Sequence, residues 1–251
     1  MIDAATSLYE PLNQYKPFAH NIGIVDGPFE YMSLLGMRLP WPFTTRMTVV
    51  RFANGDLFLH SPIAFDAALA KRMQSMGVIK HLISPNKLHY AHIGEWALAF
   101  PNAVTWASPH VRNRARSRRI SVNFNRDLAP GAPAEWSDEI DQILIPGGVF
   151  EEIVFFHRES KTLILADTIM NFELDKIGQP WRLIAKLTGT CYPSGQMPLD
   201  MRLSFLPRKR QVCAAFEKIL AWKPERFILS HGRCFDSNGS TVLRRAFRWA
   251  L

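Results

Sequence analysis

The sequence predicts an α/β fold, a four-layer αββα sandwich in which two sheets pack between helices. Three observations predict it. Paired strands come first and strands alternating with helical segments follow, an order that suits sheets covered by helices. Of the 251 residues, 47% are hydrophobic, enough for a substantial core. No repeat or linker divides the chain, so residues 1–251 are read as one domain.

The elements follow in order. Residues 21–26 are a short apolar strand. After a Pro-rich loop, Leu39 to Phe43, residues 45–52 alternate at period two as a half-buried strand does. Asn54-Gly55 is a hairpin turn, and residues 56–60 return. A helix over 66–76 is stopped by Gly77 and leads to a buried strand over 78–84. A short helix (93–100) and a strand (104–107) come next. The segment Arg112 to Trp136, basic and then rich in Pro and Ala, reads as an irregular surface connection. Residues 140–145, 152–157 and 161–167 are strands, and 172–202 is interrupted by Gly and Pro with some helix. A helix over 209–220 has Val212, Ala215, Phe216, Ile219 and Leu220 on one face. A strand at 226–229 and a helix at 241–250 close the chain.

Composition excludes several classes. No apolar run reaches the roughly 18 residues of a membrane span, and residues 1–16 lack the pattern of a signal peptide. A cytoplasmic location is therefore expected. Cys191, Cys213 and Cys234 are odd in number and form no CxxC pair, so neither a disulfide framework nor a thiolate metal site is expected. The net charge of +8 is concentrated in Arg112, Arg114, Arg116, Arg118 and Arg119, with smaller groups at 208–210 and 244–248. Runs of charge usually face water, and no nucleic-acid motif accompanies these. They are read as a solvated loop and helix faces.

Chemistry in such folds gathers where strands end. Four endings carry polar groups: His60-Ser61, the loop from Asn86 to His92, Asp167, and Ser230-His231. Imidazole suits zinc or iron, and a carboxylate can join it. Their order along the chain resembles the metallo-β-lactamase superfamily. That family carries Thr-His-x-His-x-Asp-His after a buried strand, a mid-chain His, an Asp ending a hairpin strand and a late His-Gly. Here Ser84 to Gly94 (SPNKLHYAHIG) follows the strand 78–84, Asp167 ends its hairpin strand, and His231-Gly232 follows the late strand. The loop phrases also look like a bacterial and plant branch of the superfamily classed as a domain of unknown function.

The resemblance implies one transition metal, zinc or iron, held by His89, His92, Asp167 and His231, with Asp167 and His231 also catalytic. Lys87, Asn86 and His60 are expected to face a small, anionic substrate. The departures are as telling. Lys87 stands at the first His position, Ala91 at the Asp position, and Pro146-Gly147-Gly148 where the mid-chain His belongs. Lys87 would oppose a metal by charge, so the two-metal mechanism is not expected. Three expectations follow. One is a mononuclear hydrolase acting on an ester, lactone or thioester. Another is a catalytically inactive ligand- or partner-binding module without metal. The third is a hydrogen-bonded polar core that only holds loops in place. His157, at the hairpin tip, is read as structural. Glu151-Glu152 are set aside because neighbours on a strand face opposite ways.

Overall fold

The computed structural model describes residues 7–34 and 37–251, with 32–34 and 37–42 described by backbone alone. Two sheets form. The larger is laid down in sequence order: β1 (Tyr15–Ala19), β2 (Ile22–Leu34), β3 (Met37–Arg51), β4 (Asp56–His60), β5 (Val78–Ser84), β6 (Val104–Ala107) and β7 (Arg126–Asp127). The first four pair antiparallel, and β4 through β7 run parallel. In the smaller sheet β8 (Ile140–Ile145), β9 (Glu152–His157) and β10 (Thr162–Ile164) are antiparallel, and β11 (Arg226–Ile228) runs parallel to β10.

Alternation along the strands sorts the apolar side chains into three cores, which define four layers. Val50, Phe58, Ile83 and Trp106 of the first sheet meet Ile153, Phe155, Ile164 and Ile228 of the second. The other face of the first sheet, with Met47, Leu57 and Leu82, is covered by α1 (Ala67–Met76), α2 (Ile93–Ala99) and α3 (Val111–Ser117). The other face of the second, with Val154, Phe156 and Leu163, is covered by α4 (Trp181–Thr188), α5 (Leu199–Phe205), α6 (Lys209–Ala221) and α7 (Gly239–Phe247). The αββα expectation is met. No helix among the described residues is long and apolar enough to cross a membrane.

Boundaries agree where a periodic pattern is strong. Asp66 caps α1 by accepting the Leu69 N–H at 2.7 Å, as its side chain favours. Three expectations are corrected. Leu39 to Phe43 is not a loop but part of β3, and a register shift between Tyr31 and Ser33 falls opposite these prolines, which lack an N–H for the ladder. The basic stretch after Ser108 is not irregular throughout, because Val111 and Ala115 bury one face of α3. The strand expected over 161–167 is regular only at Thr162–Ile164, beyond which the Leu165 N–H still donates to the Ile228 carbonyl at 2.9 Å before the chain turns at Asp167. β1 was not anticipated.

Candidate metal centre

Parallel pairing sends the chain out of both sheets at their carboxyl ends. β10 and β11 are neighbours, so Asp167 and His231, each three residues beyond its strand, emerge side by side. The loop after β5 is tied across the sheets: Asn86 bridges to Glu152, and the Ile153 N–H donates to the Pro85 carbonyl at 2.9 Å. That tie brings His89 to the same point. His89 Nε2 lies 3.1 Å from Asp167 Oδ2, and His231 Nε2 lies 3.0 Å from Asp167 Oδ1. Ligand atoms of the three residues all fall within 4.8 Å of one another.

Neighbouring groups fix each ring. The Ser61 hydroxyl meets His89 Nδ1 at 2.6 Å. Ser61 has φ +54°, in the left-handed region that a non-glycine residue adopts only where surroundings impose it. His231 Nδ1 is 2.8 Å from the Thr44 carbonyl oxygen. A carbonyl only accepts, so Nδ1 carries the proton and a neutral ring turns the Nε2 lone pair towards Asp167. A lone pair facing a carboxylate at 3.0 Å repels, unless the ring takes a second proton or a cation lies between them. The donor set therefore fits a metal. Burial works to raise the Asp167 carboxyl, but the His89 charge, ahead of the other contacts with the two rings, holds it well below the ordinary carboxylate range. Burial likewise works to lower His89, and the Asp167 charge overrides it to a net rise.

A second layer supports the aspartate. Asn86 Nδ2 donates to Asp167 Oδ2 at 2.8 Å and to Glu152 Oε2 at 3.2 Å. Glu152 is wholly buried and accepts the backbone N–H groups of Ala166 (2.7 Å), Asp167 (2.8 Å) and Thr168 (3.1 Å). Burial and then the Asp167 charge push its carboxyl up, against those donors. The loop bearing His231 is held by Arg46 of β3. Its Nη1 donates to the carbonyls of Leu229 and Gly232, each at 2.7 Å, and its other side pairs with the buried Asp26 at 2.7 and 2.8 Å. Gly232, at φ +98°, is required there: a Cβ would lie 2.1 Å from the Asn171 carbonyl oxygen.

The structure brings together His89, Asp167 and His231 of the expected ligands and leaves His92 apart. His92 sits between Glu30 (3.1 Å) and Glu95 (3.3 Å) instead. Asn86 and His60, expected to face substrate, are wholly buried and do not line the cavity over the centre. Asn86 acts on Asp167. Both His60 ring nitrogens lack a hydrogen-bond partner among the described residues, and burial, then the His89 charge, push the ring down to about 3. His157 is buried and bonded to Ser160 at 2.7 Å, in keeping with a structural role. Arg46 and the Thr44 carbonyl escape sequence reasoning. Ser61 is named there only as the polar end of a strand, and setting Glu152 aside is corrected: it is buried and holds the turn that carries Asp167.

A cavity of about 580 Å³ opens above the three residues, which form its floor. Phe43, Ile63, Leu88, Met170 and Met201 make apolar walls, and Lys87 lines it as expected. The Arg112–Arg119 run corrects its expectation as a purely solvated surface, since Arg114 and Arg118 also line the cavity.

The comparisons agree with this architecture. The family described as domain of unknown function DUF4336 matches residues 37–178, and the chain belongs to that family. No curated protein matches by sequence. Among solved structures, DIM-1 metallo-β-lactamase matches with TM-score 0.62 and 13% identity, over 97% of this chain and 98% of that one. A metallo-β-lactamase from Hirschia baltica gives 0.58 and 14%, over 94% and 97%. FIM-1 from Pseudomonas aeruginosa, solved in a mono-zinc form, gives 0.57 and 12%, over 95% and 96%. At these identities the likeness establishes the fold, which is that of the metallo-β-lactamases.

Proposed function

We propose that this DUF4336 member is a hydrolase that uses a single transition metal, zinc or iron, held by His89, Asp167 and His231. One observation carries the reading: two imidazole Nε2 atoms converge on one buried carboxylate while the Thr44 carbonyl commits the proton of His231 to the other nitrogen. The likeness to a fold relative solved with one zinc supports it. When bound, the ion supplies Lewis-acid polarisation of a carbonyl and acidification of water. The chain's own residues do the rest. Ser61 and Thr44 orient the two rings, and Asn86 and Glu152 hold Asp167 in place, as second-layer groups do at metal sites. The apolar walls exclude water from an acyl group lying over the floor. Water adds across an ester, lactone or thioester bond, giving the acid and the alcohol or thiol. Lys87, Ala91 and Gly148 support one metal rather than two.

A second reading has its own support. With His231 doubly protonated, Asp167 is satisfied by His89, His231 and Asn86, and the cluster serves a metal-free binding module. Metal content separates the two. Purified protein is expected to hold about one zinc or iron per chain, to lose it in His89→Ala and His231→Ala, and to hydrolyse p-nitrophenyl and thioester substrates only when loaded. Failure to bind zinc or iron after addition rejects the hydrolase. Metal retained by both variants rejects the ligand assignment.

A further inference from the structure

The arginine run divides its members by role. Arg112 is tied to Asp127 at 2.6 Å and to the Phe124 carbonyl at 2.8 Å, and Arg116 and Arg119 are exposed. Arg114 and Arg118 differ. Four apart on α3 and its cap, they share a face, and burial of Val111 and Ala115 turns α3 so that both line the cavity. Lys87 approaches from the loop after β5, its ammonium donating to the Val149 carbonyl. Glu151 is taken up by Arg208 at 3.1 Å and His110 at 3.5 Å, and no ion pair to Lys87 or Arg114 forms among the described residues. The acidic groups on the lining are otherwise placed or engaged: Glu30 with His92, Asp167 with the two imidazoles, and Asp200 in the first turn of α5.

We propose that Lys87, Arg114 and Arg118 bind the phosphate-type headgroup of an amphiphilic acyl substrate. Its apolar chain lies against Phe43, Ile63, Leu88, Met170 and Met201. Two guanidinium forks and an ammonium match a dianionic phosphate, whereas one carboxylate leaves cations facing each other. The site's role in catalysis rests on the hydrolase reading, but binding at it does not.

The test is calorimetric titration of the full chain, as purified and zinc-loaded, with octyl phosphate, octanoate, octanol and inorganic phosphate. Octyl phosphate should bind about tenfold or more tighter than each of the others. Lys87→Gln and the Lys87→Gln/Arg114→Gln double variant should weaken it about tenfold while leaving zinc content and melting temperature unchanged. His231→Ala should lose zinc and keep octyl phosphate. Octanoate equal to octyl phosphate overturns the phosphate assignment. No preference over octanol overturns the subsite altogether. Binding that survives the double variant but vanishes in His231→Ala puts the anion on the metal and also overturns it. Cation-dependent binding without any zinc uptake rejects the hydrolase and leaves the subsite standing.

Discussion

Three nitrogens meet the two oxygens of Asp167: Asn86 Nδ2 at 2.8 Å, His231 Nε2 at 3.0 Å and His89 Nε2 at 3.1 Å. What distinguishes them is freedom to move. His89 and His231 are each held from behind, by Ser61 and by the Thr44 carbonyl, so their Nε2 atoms are aimed before anything binds. Ser61→Ala removes one such support at little cost in packing. It should weaken zinc affinity about tenfold, within the range of second-layer changes at metal sites, and competition with a chelating dye measures it. Glu152→Gln keeps the shape and removes the charge that accepts three backbone N–H groups. A Gln amide turns an N–H₂ towards some of those donors, and stability should fall by about 3 kcal/mol in urea titration. An unchanged midpoint would mean that Glu152 is protonated and indifferent to its neighbours.

At the scale of elements, β3 reaches across the molecule to position the loop after β11. Arg46 joins Asp26 on β2 to two carbonyls flanking His231, so three elements depend on one buried guanidinium. Arg46→Met leaves the buried Asp26 with Lys16 alone, at 3.0 Å, and the two carbonyls unpaired. That change should destabilise by about 3 kcal/mol, at the low end for a broken buried pair because Lys16 still meets the carboxylate. The Asp26→Asn/Arg46→Met pair should recover part of the loss, since no buried charge then remains and Lys16, partly exposed, can turn to water. Chemical denaturation of the single and double variants checks both statements. A full loss in the double variant would place the effect in the carbonyls rather than in the charge.

For the whole molecule, acid and metal act on the folding equilibrium. Burial pushes the His81 imidazole down to about 4, against about 6.5 in an unfolded chain. Between those values the unfolded state takes a proton that the folded state refuses. The contribution is complete above about pH 6.5 and falls as pH drops towards 4. From neutral to about pH 5, His81 should account for a loss of about 2 kcal/mol. His81→Gln, which keeps an acceptor for the Trp106 indole N–H (3.2 Å), should flatten that part of the urea-midpoint profile. Zinc at about a thousand times its dissociation constant should add about 4 kcal/mol by linkage, reversed by chelator and absent in His231→Ala.

Much of this is legible in the sequence. Periodicity and turn residues place β4, β5, β6, β8 and β9 at their observed bounds, because alternation and glycine act within a few residues. Strand endings likewise bring out His89, Asp167 and His231. Burial alone distinguishes Arg114 and Arg118 from their neighbours, since one basic run looks uniform until Val111 and Ala115 choose its inward face. His92 looked equivalent to His89 by spacing, yet the start of α2 turns it towards Glu30 and Glu95. The Thr44 carbonyl that fixes His231 lies 187 residues away and belongs to the backbone, which carries no residue identity. Local chemistry, read along the chain, determined most of the elements, the layer order and three of the polar groups. Tertiary packing decided which of those groups meet, which way each ring points and which cations share their cavity, because those depend on contacts between sheets that no local pattern records.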